Sequence, residues 1–299
     1  MTPANLIATL SETTDRDYYE NLDPFFHYMT LDALKNAQIS EFRLREKGSD
    51  RVNDHRLLEI LKRSDSLRSE HLKSLGRVFR YFSAETLLLI ILSGGPFGPF
   101  ARLSSNLKFN ELNQVFSKIS DRVVPDAFSL NMDGRALTFD EWVSYQSFGV
   151  VNAFKNREHK EVVGLIVEEA NLAKERGAIN AFKHAKPFSF GDGIEMTLTN
   201  NETQEQASNI KLRGINWVEW KEGKEAGSTS VSFYTEEVKP DEDMQRLFAV
   251  GLLIDAIRTA RLAKLDRAEK VNVALPADLK NGLEVRRQHL TINLVPVEE

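Results

Sequence analysis

Arg176, Asn180, Lys183 and His184 fall within nine residues of the stretch ERGAINAFKHAKP, residues 175–187. On a helix, Arg176, Asn180 and His184 recur every four residues, so successive turns stack them in one stripe. Lys183 lies beside that stripe and Glu169 two turns before it. A histidine in such a setting could move a proton while arginine or lysine steadies charge developing on a phosphate. That is the chemistry of a metal-independent attack on a phosphodiester. A plainer reading is also open: the stripe is the solvated face of a helix, with cations gathered near its C-terminus because the helix dipole favours them there.

A phosphodiester substrate needs a cationic surface to hold it. Residues 43–80 carry eleven Lys or Arg against six Asp or Glu, a local excess of five in a chain whose formal charge is -5. Arg63, Arg68, Lys73 and Arg77 are the candidate substrate-binding residues of this stretch, and nucleic acid could be held there by a local patch although the whole chain is acidic. Intrahelical pairs such as Glu59–Arg63 offer the competing explanation, a bundle surface laced with opposite charges. The aromatic run Tyr18, Tyr19, Phe25, Phe26, His27 and Tyr28 suits either core packing or a partner-binding pocket. Trp217 and Trp220, three apart on an expected strand, point to opposite faces, one of them into a core.

Around RGAINAFKH the sequence resembles the HEPN family of helical-bundle proteins, many of which are RNases of toxin and defence systems. Members of that family carry an Arg, four to six residues, and then a His near a helix end. Here seven residues separate Arg176 from His184, and Gly177 follows the Arg. The resemblance implies a ribonuclease with Arg176 and His184 in the catalytic positions; it covers about one helix pair and does not extend to the β-rich region that follows.

The elements that must position these residues are legible in the spacing of apolar side chains. Residues 30–92 are helical in pattern, with Thr30 as an expected helix cap and Leu67, Leu72, Leu75, Val78, Phe79 and Phe82 at three- and four-residue intervals. Gly94, Gly95, Pro96, Gly98 and Pro99 then form the strongest punctuation in the chain. A short helix near 109–119 follows, and then a long one expected over 157–185. Gly177 is its weak point, because glycine inside a helix costs about 1 kcal/mol relative to alanine. Beyond Pro187 the period changes to alternation. FSFGDGIEMTLTN, IKLRGINWVEWKE and STSVSFYTEEV read as an antiparallel meander, the linkers being too short for parallel crossovers. Pro240 opens a further helix, with Asp241, Glu242 and Asp243 in its first turn and a nearly all-apolar middle, and HLTINLVPV reads as an edge strand.

These elements define an α+β protein: an N-terminal helical bundle followed by a small antiparallel β-meander packed against a long helix. Three segments are expected, a bundle over 1–95, a helical segment over 96–186, and a sheet with its long helix over 187–299, the last two packed as one unit.

Several chemistries are excluded. The chain has no cysteine, which removes disulfides, thiolate metal sites and a cysteine nucleophile, and fits a reducing cytoplasmic setting. No P-loop, dinucleotide fingerprint, nucleophile elbow or zinc-protease motif occurs, and the six histidines show no metal-ligand spacing, so neither metal nor cofactor is expected. The longest apolar run, Leu87–Leu92, is far short of the ~20 residues that span a bilayer, and no membrane partner is expected. Two functions remain: an interaction or regulatory protein with a protein partner or a second copy of itself, or a ribonuclease or RNA-binding protein centred on Arg176, Asn180, Lys183 and His184.

Overall fold

A computed structural model describes residues 3–36, 55–94, 109–154, 160–175, 177–183, 188–199, 206–222, 229–277 and 286–293. The class is α+β. The helices are α1 (Pro3–Asn21), α2 (Phe26–Asn36), α3 (His55–Leu92), α4 (Phe109–Ser120), α5 (Phe139–Phe148), α6 (Lys160–Lys174), α7 (Gly177–Lys183) and α8 (Pro240–Leu265). Two short strands, β1 (Asn131–Met132) and β2 (Arg135–Ala136), make a tight hairpin before α5. The remaining strands are β3 (Phe188–Thr199), β4 (Gln206–Glu222), β5 (Thr229–Glu237), β6 (Lys270–Ala277) and β7 (Arg286–Asn293).

The chain packs into two compact units that cut across the segments expected from chain order. Residues 1–28, 80–175 and 244–299 form the first, and residues 29–79 and 176–243 the second. The physical reason is length. At 1.5 Å per residue the 38 residues of α3 extend about 57 Å, further than one small core reaches, and the division between the units falls within this helix, after Phe79.

In the first unit, Leu87, Leu88, Ile90 and Ile91 of α3, Phe116 and Ile119 of α4, Trp142 and Val143 of α5, and Leu165 and Ile166 of α6 are fully buried. Leu247, Val250, Leu253 and Ile257 of α8 are buried as well, so the helix that reads as apolar nearly all round lies within a core. Helix α5 is set by its ends. Thr138 and Glu141 form a reciprocal capping box, and Gly149, at φ 74°, closes the C-terminus in the left-handed conformation that glycine adopts without cost. Glu141 also takes both guanidinium nitrogens of Arg135, at 2.6 and 2.8 Å, and this pairing with the cap holds its carboxyl down at about 2.

Two arginines on successive turns of α8 receive the ends of three other helices. Arg261 donates to the carbonyls of Ile90 in α3 (2.8 Å) and Gln146 in α5 (2.7 Å), and to the Tyr19 hydroxyl, with its guanidinium over the Tyr19 ring. Arg258 donates to the carbonyls of Tyr19 and Glu20 at the end of α1. Burial raises the Tyr19 phenol pKa above its ordinary value, and Arg261 works against that shift. Between α3 and α6, Arg80 grips Glu169 through Nε and Nη2 at 2.8–3.2 Å, with the carboxylate wholly buried. Beneath the same core, β6 pairs with β7 in antiparallel register from Lys270↔Asn293 to Ala277↔Arg286. The sequence pattern identified β7 but not β6.

The second unit contains the meander, in the order β3-β4-β5, antiparallel as expected. Gly191-Asp192-Gly193 lies inside β3, where the pairing register shifts between Asp192 and Glu195. The first turn of α2 also differs from expectation. Thr30 is internal, because the Asp23 carboxylate accepts from the Phe25 amide (3.0 Å) and starts the helix four residues earlier.

The Arg80–Glu169 pair gives a double-mutant test. Glu169→Leu removes the carboxylate that the buried Arg80 guanidinium grips and should cost about 3–5 kcal/mol, whereas Arg80→Met together with Glu169→Leu should recover most of that loss, as read from urea unfolding of the three proteins.

Candidate functional site

The expected long helix over 157–185 is two helices. α6 stops at Lys174 and α7 begins at Gly177. Several contacts of the first unit fix that stop. The Tyr81 hydroxyl donates to the Glu175 carbonyl (2.6 Å), Lys174 reaches the Ser120 hydroxyl (3.0 Å), and the Glu175 amide closes the last turn on Leu172. Glu169 therefore belongs to a buried ion pair on α6 and is not the upper end of a polar stripe.

Of the four residues of the proposed stripe, Asn180 is half-buried on α7 and Lys183 is that helix's last residue. Arg176 and His184 lie outside the described residues. Ile179 is buried, and Phe182 is exposed. With the helix restarted at Gly177, the facing of its residues is set by α7 alone, over two turns.

Helix α7 packs on β4. Glycine at 177 is required by close approach: a Cβ there would lie 2.6 Å from Cζ2 of Trp217. Trp217 pairs directly with Tyr234 across β4 and β5, and their rings stack at 5.1 Å with 10° between planes. Trp217 is 8% exposed, so it is the core tryptophan, and its Nε1 is buried without a hydrogen-bond partner. Ile215, two residues back and so on the same face of β4, is fully buried.

The basic surface is placed in part. Arg63 lies on α3. Arg68 donates to the Leu34 carbonyl at 2.6 Å, and Lys73 is half-buried on the same helix. Arg77 meets Asp243 at 3.0 Å and Glu236 at 3.1 Å, and its side chain is 11% exposed. Two carboxylates around one guanidinium leave that cluster acidic. Asp243, placed by sequence in the first turn of α8 as a dipole partner, is thus also the buried counter-ion of Arg77.

In the first unit the structure joins two residues that lie 56 positions apart and that no local pattern pairs. His27 Nδ1 lies 2.9 Å from Ser83 Oγ, the ring stacked on Phe82 and edge-on to Phe26. Ser83 is 5% exposed in the middle of α3, which gives a substrate carbonyl no approach to its hydroxyl, so the pair acts as a strut between α2 and α3. Burial pushes the His27 pKa down, and nearby Asp23 partly opposes the shift. The rest of the aromatic run is divided. Tyr19 is buried, Phe25 and Tyr28 pack on Phe248 of α8, and Phe26 faces out.

Among the described residues no group of three or more His, Asp or Glu side chains could hold a metal ion. No described helix is long and apolar enough to cross a membrane. No family model, no curated protein and no solved structure matches the chain.

His27 makes stability depend on pH with a definite sign. Its pKa in the folded chain lies below 6.5, so as pH falls through that value the unfolded chain takes up the proton first and folding loses free energy. Urea midpoints should therefore fall between pH 7.5 and 5.5, and His27→Gln, which can keep a hydrogen bond to Ser83 but does not titrate, should remove part of that fall.

Proposed function

We propose that this chain is a non-catalytic interaction or regulatory protein that binds a protein partner or a second copy of itself. The observation that carries the reading is how the candidate substrate-holding cations are used. Arg68 serves a helix carbonyl and Arg77 serves two carboxylates, so at these two positions the candidate phosphate-binding cations have partners within the fold, which supports the interaction reading. Large apolar side chains stand exposed in each unit: Phe26 at 57% in the first, and Met29 at 57%, with Leu34, in the second. Scattered exposed apolar side chains are ordinary, but a half-exposed Phe and Met are the residue types that partner surfaces favour. The absence of cysteine fits a reducing, cytoplasmic setting for such a protein.

The alternative is a metal-independent, HEPN-like ribonuclease using Arg176, Asn180, Lys183 and His184. One pair of experiments separates the two. Wild-type protein in EDTA should leave RNA intact, and protein purified at low salt should carry no nucleic acid by its A260/A280 ratio. Sedimentation over a range of concentrations should show self-association that Met29→Glu weakens, or a monomer that awaits a different partner. RNA cleavage that is abolished by His184→Ala would overturn the interaction reading in favour of the ribonuclease.

A further inference from the structure

We propose that Asp133–Gly134 is a site of spontaneous covalent modification, where the backbone rearranges to isoaspartate at a rate set by the grip of Arg135 on Glu141. The inference is independent of whether the chain is an interaction protein. Asp133 and Gly134 are the two central residues of the β1–β2 hairpin, closed by the pairs Met132↔Arg135 and Asn131↔Ala136. Their φ angles are 52° and 76°, so both have the positive φ that a two-residue turn of this kind requires. Both are exposed, and a Cβ built on Gly134 meets no atom within 4 Å. Among the described residues no hydrogen bond holds the Asp133 carboxyl or the Gly134 amide.

The chemistry needs only these two residues and water. The Gly134 nitrogen attacks Cγ of Asp133. An N–Cγ bond forms as the Cγ–OH bond breaks, and the amide proton leaves with that hydroxyl as one water. The product is a five-membered succinimide, and glycine leaves the attacking nitrogen uncrowded. Hydrolysis returns the water. Opening at Cγ restores aspartate, and opening at the main-chain carbonyl carbon of Asp133 leaves isoaspartate, in which the chain runs through Cβ and Cγ. The succinimide holds Asp133 in a backbone conformation other than the left-handed one it has in the turn, so closure requires the hairpin to open locally. By itself the hairpin is a weak restraint, since each strand is two residues long. Arg135 is the stronger one. Its Nη1 and Nη2 donate to the two Glu141 oxygens at 2.8 and 2.6 Å, which ties β2 to the first turn of α5. Isoaspartate adds a backbone atom to this turn, so it breaks the Met132↔Arg135 pair and displaces Arg135 from Glu141.

Incubation of the full chain at neutral pH over days to weeks, followed by trypsin, tests this. Cleavage after Arg122 and Arg135 releases Val123–Arg135, in which electron-transfer fragmentation tells isoaspartate at Asp133 from any at Asp126. Isoaspartate at Asp133 should accumulate in the folded wild type. Glu141→Gln keeps an acceptor for the Thr138 cap but gives up the charge, and should speed formation by about two- to fivefold, the weight of one exposed ion pair. Arg135→Lys loses the planar fork but keeps both the charge and the trypsin site, and should act in the same direction. This second variant decides the matter if Glu141→Gln does not fold. No isoaspartate at Asp133 in the folded wild type, or formation no faster in either variant than in the wild type, would overturn the assignment.

Discussion

Arg261 and Arg258 bring into the first unit what three helices lack at their C-termini. A helix ends with carbonyls that have no partner further along the chain, and those carbonyls carry the negative end of its dipole. Here carbonyls in the last turns of α1, α3 and α5 are met by two guanidinium groups one turn apart on α8. An arginine suits this task because its planar fork can donate in several directions at once and stays charged when half-buried. The apolar middle of α8 can lie in the core because its C-terminal turns satisfy the polar ends of the helices around it.

The same constraint accounts for the other buried charges. Glu169 is wholly buried and is matched by the Nε–Nη2 edge of one guanidinium, and Asp243 is wholly buried and is matched by Arg77. Such pairs contribute more to choosing one register than to net stability, since the cost of desolvating both ions offsets most of their attraction. Arg80 and Glu169 fix how α6 runs against α3, and Tyr81, the next residue, fixes where α6 stops. At Trp217 Nε1 no such match is made, and the buried donor stays unmet.

Much of this architecture could be read from spacing. The meander followed from alternation and short linkers, the start of α8 from Pro240 and its acidic first turn, and the long apolar helix from Leu67 through Phe82. Strand β6 was not legible, because KVNVALPA contains a proline and follows directly on a helix, and its pairing with β7 is decided across the intervening chain. The candidate site was legible only as a set of residue types. The stripe assumed one helix through Gly177, and the spacing of four residues holds only while the helix does. Neither Arg77's pairing with Glu236 nor the meeting of His27 with Ser83 leaves a local trace, since each joins positions far apart in the chain.

By itself the sequence determined the class, the periods of its helices and strands, and the absence of thiol chemistry, because these depend on residue types and on neighbours within a turn or a strand. Only the tertiary structure decided which charges were free. Arg68 and Arg77 look alike along the chain to any solvated cation, and they differ because folding brings a carbonyl to one and two carboxylates to the other. It also decided that Gly177 is a point of close approach and not a flaw in a longer helix, since the reason for a missing side chain there is the Trp217 ring, forty residues on.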